Sequence, residues 1–318
     1  MKFPMPRETK HIRPVDEVWY GKDEYKEGLI VPEINIKYGS LYSKVKTMPG
    51  YARYLAGSFR ELFKTVKSIE RNPYTGRKHI GAQELDYFES YAHELGVSGI
   101  RYTPLEARHL FRQSIVLFRN AIVLVMKMEP EEMKAAPSAR TNREVFRTYH
   151  ELGRSVNLLS DYLRERGFNA QPVPAIGTNL NLSLLARDAG FGEFGRHGLL
   201  ITPDLGPSIR IAAVLTDAEN LPFNEGNLHG WVREFCRSCG ACVRACPAGA
   251  IYAEPEVSED GSLEHIDYRR CAGPFSKQYG CSVCIKECTF FKSDYHKLYK
   301  AYLKKQERAK GNGSNGPQ

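Results

Sequence analysis

The first 235 residues of this 318-residue chain contain no cysteine. That excludes a disulfide framework through the main body, which is long enough to bury a core without staples. Long apolar runs are also missing. Ala121 to Met126 is the longest, and Arg119 and Asn120 separate it from Ile115 to Phe118. Both fall far short of the roughly 18 residues that a membrane span needs. The opening MKFPMPRETKHIRP has neither an apolar core of signal-peptide length nor a twin arginine. Export is therefore not encoded there, and the expected location is the cytoplasm unless a leader was removed before residue 1.

Acidic charge is scarce at the C-terminal end. Lys292 to Lys310 holds seven Lys/Arg against two acids, and so supplies much of the formal charge of +8. Nucleic-acid binding is the less favoured reading of this tail. Tyr295, Leu298, Tyr299, Tyr302 and Leu303 recur at helical spacing, which favours a solvated helix packed back on the protein. GNGSNGPQ at the end reads as a disordered tag.

Four segments are expected: 1–80, a wrapping stretch and an amphipathic helix; 81–228, a core; 229–290, a metal domain; and 291–318, the basic helix and tail. From Tyr51, the positions Tyr54, Leu55, Phe59, Leu62, Phe63, Val66 and Ile69 step by three or four, with basic residues between them. This helix should dock on a protein core or partner; peripheral membrane contact is the alternative. Further helices are expected over 84–95, 103–118, 142–166 (capped by Thr141) and from Ser183 to Gly190. Strands are expected over 121–128, 198–202 and 209–216.

Eight cysteines fall within 53 residues, as Cys236-x2-Cys239-x2-Cys242-x3-Cys246-Pro247 and Cys271-x9-Cys281-x2-Cys284-x3-Cys288. Zinc sites come more often as separated CxxC pairs. The first run has the spacing with which bacterial-type ferredoxins hold 4Fe-4S clusters, where three cysteines grip one cluster and the fourth crosses to the other. The expected ligand sets are Cys236, Cys239, Cys242 and Cys288 for one cluster, and Cys246, Cys271, Cys281 and Cys284 for its neighbour.

The segment AGFGEFGRHGLLITPDLGPSIRIAAVLTD, residues 189–217, closely resembles the stretch before the cluster motif in cobalamin-dependent reductive dehalogenases. It is more distantly similar to epoxyqueuosine reductases. The resemblance runs from about Glu84 to Cys288 and implies an α+β fold: a nitroreductase-like cobalamin-binding core with a C-terminal bacterial ferredoxin-like domain. It also implies base-off cobalamin beside one of two 4Fe-4S clusters. Gly190, Gly192, Gly195 and Gly198 strip side chains from a loop, so that backbone could approach a large planar ligand. For Gly190 alone, a helix C-cap is the better explanation. The loop follows a helix instead of opening one after a strand, which argues against a dinucleotide fingerprint. DxHxxG, the cobalt-ligating pattern of another cobalamin class, is absent.

The resemblance further implies a tyrosine proton donor, a basic residue that polarises it and a nearby asparagine. Tyr149 is the first choice of donor and Tyr162 the alternative; either could be a packing residue. Arg210 suits the polarising role, and Arg196 a corrin side arm. Asn179 is the candidate polar residue, with Asn181 beside it, and either could cap the next helix. Epoxyqueuosine reductases carry an aspartate where this chain reads Pro174-Ala175-Ile176-Gly177-Thr178-Asn179, and they have helical repeats that it lacks.

The expected activity is oxidoreductive: reduced cobalt attacks a small organohalide while Tyr149 delivers a proton, with electrons from an external donor such as ferredoxin or flavodoxin. The competing readings are a tRNA-modifying epoxyqueuosine reductase-like enzyme and a corrin-free electron-transfer protein.

Overall fold

Two eight-residue strands, β4 (Asn120–Lys127) and β8 (Ile209–Thr216), form the centre of the molecule. Their β-branched and aliphatic side chains suit a pleated surface covered on both sides. The computed structural model describes residues 8–14, 16–22, 37–38, 50–73, 75–112, 114–177, 180–224, 226–258 and 263–313. β2 (Gly99–Pro104) and β5 (Ala170–Val173) complete an antiparallel sheet in the order β2-β4-β8-β5.

The alternation of side chains divides the core in two. Ile122, Leu124 and Met126 of β4, with Ala212 and Val214 of β8, face α2 (Ala82–Glu94) and the 27-residue α4 (Ala139–Glu165). Phe88 and Ala92 meet them from α2, and Leu152, Val156, Leu159 and Leu163 from α4. Ala121, Val123 and Val125, with Ala213 and Leu215, face the other way. They pack on Leu182, Leu185 and Ala186 of α5 (Leu182–Asp188). Each fully buried Leu or Ile contributes about 1.5–3 kcal/mol. A one-residue register slip would exchange the two faces.

α1 (Ala52–Ser68) lies on α4 through a polar seam as well as Leu62 and Val66. Asn157 Nδ2 donates to the Glu61 carbonyl at 3.0 Å and to its carboxylate at 3.1 Å, and Thr65 Oγ1 donates to Asn157 Oδ1 at 2.9 Å. The expected apolar face is therefore only partly the buried one, and Phe63 points outward. Most of the N-terminal wrapping stretch lies outside the described residues. Within them, β1 (Trp19–Tyr20) pairs with β3 (Ile115–Val116).

Residues 103–118 differ from the expected helix. Thr103 and Pro104 end β2 opposite Ala121 and Asn120, and only a 3-10 turn, Ala107–His109, follows before β3. Pro104 at a strand end sacrifices little of the ladder, so sheet pairing overrides its reading as a helix opener. The long helix is capped by Ser138, whose hydroxyl accepts from Thr141 N, while the Thr141 hydroxyl donates to the Glu132 carbonyl.

After β6 (Glu193–Phe194), β7 (Leu200–Ile201) and β8, the cysteine-bearing part opens with α6 (Trp231–Cys239) and α7 (Ala241–Ala245). A hairpin of β9 (Ile251–Val257) and β10 (Leu263–Ile266) follows, then α8 (Tyr268–Lys277), α9 (Val283–Lys286) and α10 (Thr289–Lys292). The basic α11 (Tyr295–Gly313) packs back through Tyr295, Leu298 and Tyr302 on Trp231, Phe235 and Phe290. Of the expected disordered tag at 311–318, residues 311–313 instead continue α11, and 314–318 lie outside the described residues. No described helix is long and apolar enough to cross a membrane.

Candidate metal centres and active site

The eight thiols are all free. Cys236 and Cys239 come from α6, and Gly240, at φ 57°, turns the chain directly into α7 with Cys242. Cys288 arrives from the end of the chain just before α10. These four line one cavity together with Arg196, His197, Thr289 and Phe290. Burial raises the Cys236 thiol to about 11 and Cys288 to about 12, and each is raised further by other members of this set.

The second set is grouped by the same mutual repulsion. Burial raises Cys271, with Cys281 and Cys246 adding to it, and raises Cys284 to about 12, with Cys281, Cys271 and, from the first set, Cys242 adding to that. Tyr279, Cys281 and Ser282 have φ of 53°, 49° and 65°. A run of left-handed non-glycine residues costs backbone energy, and such strain concentrates where a loop must enclose a ligand. Buried thiols with raised pKa values stay ionised only beside a cation. Iron supplies that charge, and the donors fit two four-thiolate clusters. Among the described residues no three cysteine, histidine or carboxylate side chains gather around a single ion.

A separate constellation lies between α4 and β8. The Arg210 guanidinium sits 3.7 Å from the centre of the Tyr149 ring, within cation–π range. Its Nη2 is 3.5 Å from Met128 Sδ, while its buried Nε has no hydrogen-bond partner among the described residues. Phe146 lies 6.2 Å from Tyr149 and stacks on Tyr51 at 4.2 Å, which walls one side with aromatic surface. Met128, Met133 and Ile285 form a small apolar cluster onto which Val145, Leu199 and Cys284 also pack. Val145 is one helical turn before Tyr149, so the tyrosine–arginine pair borders the same apolar cluster as Cys284.

Tyr162 is elsewhere. Thirteen residues along α4 is about 20 Å, and its ring packs on Tyr91 at 5.5 Å and Phe88 at 5.9 Å in the main core. Asn179 lies outside the described residues. Asn181 caps α5, accepting from Leu184 N at 3.1 Å.

The close approaches that the loop glycines permit are to the chain itself. A Cβ on Gly190 would come 1.8 Å from Asn224 Nδ2, and one on Gly192 would come 1.9 Å from the Ile201 carbonyl oxygen. On Gly195 it would strike Ile201 and the His197 ring, and on Gly198 it would press on His265. Arg196 forms a two-pronged ion pair with Glu254 of β9, at 3.0 and 3.2 Å, and its backbone hydrogen-bonds Cys236. Gly190 and Gly198 sit at φ 80° and 75°, where a side chain would be strained. The loop thus joins the core to the first cysteine set.

Several participants were not singled out from sequence. His197 is 4% exposed, and burial depresses it to about 4, so it is neutral beside the first cavity. Glu193, also buried, holds Arg187 at 3.0 Å and Arg233 at 2.9 Å, tying the loop to α5 and α6. Adjacency to Arg196 in the motif was the available signal for His197. Glu193 and Glu254 had none, because an acid among charged neighbours usually marks a solvated surface.

Comparison with known proteins follows the same division. Residues 235–291 match the 4Fe-4S dicluster domain family. A tetrachloroethene reductive dehalogenase of Desulfitobacterium hafniense is 36% identical over 189 residues, covering 55% of this chain and 33% of its own length. An epoxyqueuosine reductase of Bacillus subtilis is 26% identical over 263 residues, covering 74% of this chain and 64% of its own. The chain thus spans about a third of the dehalogenase it matches. The fold aligns with a catabolic reductive dehalogenase, NpRdhA, at a TM-score of 0.69 and 18% identity, over 95% of this chain and 47% of that one. This chain is accordingly a homologue of the reductive dehalogenases, related also to epoxyqueuosine reductases, with an α+β core and a 4Fe-4S dicluster domain towards its C-terminal end.

Proposed function

We propose that this chain works as a cobalamin- and iron-sulfur-dependent reductive dehalogenase on a small organohalide, with Tyr149 as proton donor. The observation that carries the reading is Arg210 set against Tyr149, bordering the same apolar cluster as Cys284. Replacing a carbon–halogen bond by carbon–hydrogen consumes two electrons and one proton and releases halide. The two clusters can bring the electrons singly, and a phenol can bring the proton.

Cobalamin, when bound, would supply the low-potential cobalt that cleaves the carbon–halogen bond. The fit to such a group rests on Arg210, whose buried Nε retains an unused donor beside the phenol. A buried donor of this kind costs about 1–3 kcal/mol unless something meets it. Arg210 would hold a polar group of the cofactor or substrate while restraining the Tyr149 ring, and Phe146 and Tyr51 would keep water off one side. Asn179 and the backbone of the 190–198 loop are the remaining candidates for contact with substrate and corrin. An external ferredoxin or flavodoxin-type protein is the proposed electron source.

The competing reading is epoxyqueuosine reductase-like chemistry on tRNA. The longer coverage by the Bacillus subtilis enzyme and the basic α11 favour it. The absence of a carboxylate from Pro174-Ala175-Ile176-Gly177 opposes it.

The test is anaerobic reconstitution with iron, sulfide and cobalamin, desalting, and then turnover with a reduced viologen against bromophenols and chloroalkenes. Retained corrin bands with halide release that depends on the loaded corrin are expected. Retained corrin without halide from any compound, but with reduction of an epoxyqueuosine-bearing RNA stem-loop, would transfer the assignment. Clusters without corrin retention would leave an electron-transfer protein.

A further inference from the structure

The imidazole of His197 is buried at the first cysteine cavity with one nitrogen spoken for and one not. Its Nδ1 accepts the Leu199 backbone N–H at 3.1 Å. An accepting Nδ1 bears no hydrogen, so the ring's hydrogen is on Nε2. That Nε2 is buried and has no hydrogen-bond partner among the described residues. The residue lines the same cavity as Cys236, Cys239, Cys242 and Cys288.

The surroundings hold the ring in this position. A Cβ on Gly195 would come 2.8 Å from His197 Cε1, so the loop leaves out a side chain where the imidazole lies. Gly195 N donates to the Leu199 carbonyl and Gly198 N to the Gly195 carbonyl, which closes the loop around the ring. A buried N–H without an acceptor is costly, and sulfur of a thiolate-bound cluster is the acceptor that this cavity would contain.

We infer that His197 donates an Nε2–H hydrogen bond to sulfur of the first cluster and thereby raises that cluster's reduction potential relative to its neighbour. A donor aimed at cluster sulfur stabilises the reduced state, which carries one more negative charge. Arg196 adds a cation at the same cavity, partly offset by Glu254. His197 is thus a positioning and tuning residue, not a catalytic one. This inference rests on the two-cluster reading but requires neither cobalamin nor a halide substrate.

The test is an EPR-monitored redox titration of the reconstituted full chain, comparing wild type with His197→Phe and His197→Asn. With iron content equal in all three, H197F should lower the potential of one cluster and leave the other unmoved. The expected change is roughly tenfold in that cluster's reduction equilibrium, about 59 mV for one electron. H197N, which keeps an N–H donor, should recover part of it. Equal potentials in wild type and H197F at full iron loading would overturn the inference. Should H197F fail to load, wild type labelled with ring-15N histidine decides: pulse EPR of the reduced protein should show nitrogen coupled to a cluster, and absence of that coupling overturns the inference. Loss of dehalogenation with potentials as expected would count against the proposed function alone.

Discussion

Arg210 lies with its guanidinium 3.7 Å from the centre of the Tyr149 ring, although 61 positions separate the two in the chain. The register of the sheet creates the pair. Arg210 stands opposite Met126 near the start of β8, at the end of the strand where α4 begins to cross the sheet. Met128, just past β4, occupies the other side of the guanidinium. The buried Nε of this arginine has no partner among the described residues, and such a donor is costly unless something meets it.

Tyr149→Phe removes one hydroxyl and little volume. Cluster and corrin content should match wild type, and halide release should fall by about two to four powers of ten, the range for a positioned proton donor. Turnover within a few-fold of wild type would remove Tyr149 from the chemistry.

The two ligand sets share no residue. Cys236→Ala and Cys281→Ala should therefore each lower iron from about eight to about four per chain, and each should abolish a different cluster's EPR signal. Loss of the same signal in both variants would refute the partition.

Gly192→Val should act on the fold. Its Cβ would overlap the Ile201 carbonyl oxygen at 1.9 Å, and backbone cannot yield as a flexible side chain can. A loss of about 1–3 kcal/mol, typical of overpacking, should appear as a lower melting temperature with impaired cluster loading. Unchanged melting with selective loss of corrin retention would instead make Gly192 a ligand-facing position.

Acid should loosen the α2 corner through Glu84. Hydrogen bonds from Arg77 and from the Gly81 backbone N–H hold its carboxyl at about 2, below its ordinary 4.5. Because the folded value is the lower one, its contribution is complete above about 4.5 and is lost as pH falls towards about 2. Glu84→Gln should therefore narrow the melting gap from wild type as pH drops through that window. A gap of constant size from pH 7 to 3 would disprove the linkage.

How much was legible depended on whether the signal was local. The cysteine spacing pointed to a two-cluster domain because it repeats the ferredoxin pattern, and residues 235–291 match the 4Fe-4S dicluster family; Cys236, Cys239, Cys242 and Cys288 line one cavity. The central strands were readable because continuous apolar runs survive only where both faces are covered. Residues 103–118 were misread because Pro104 serves a helix start and a strand end equally well, and only the partner strand decides between them.

The glycine loop shows the same limit. Four glycines in nine residues announced close approach, but what approaches is Asn224, Ile201, His197 and His265, three of which are more than one turn away in sequence. Sequence by itself determined the dicluster domain, the buried strands, the long helix and the tyrosine candidates, since each rests on neighbours in the chain or on one period. Tertiary structure alone decided that Arg210 meets Tyr149, that Tyr162 belongs to the core, and that Arg196 and His197 line one cavity with Cys236, Cys239, Cys242 and Cys288. Those relations depend on sheet register and loop closure, which bring together side chains whose separation in the chain carries no trace of their distance in space.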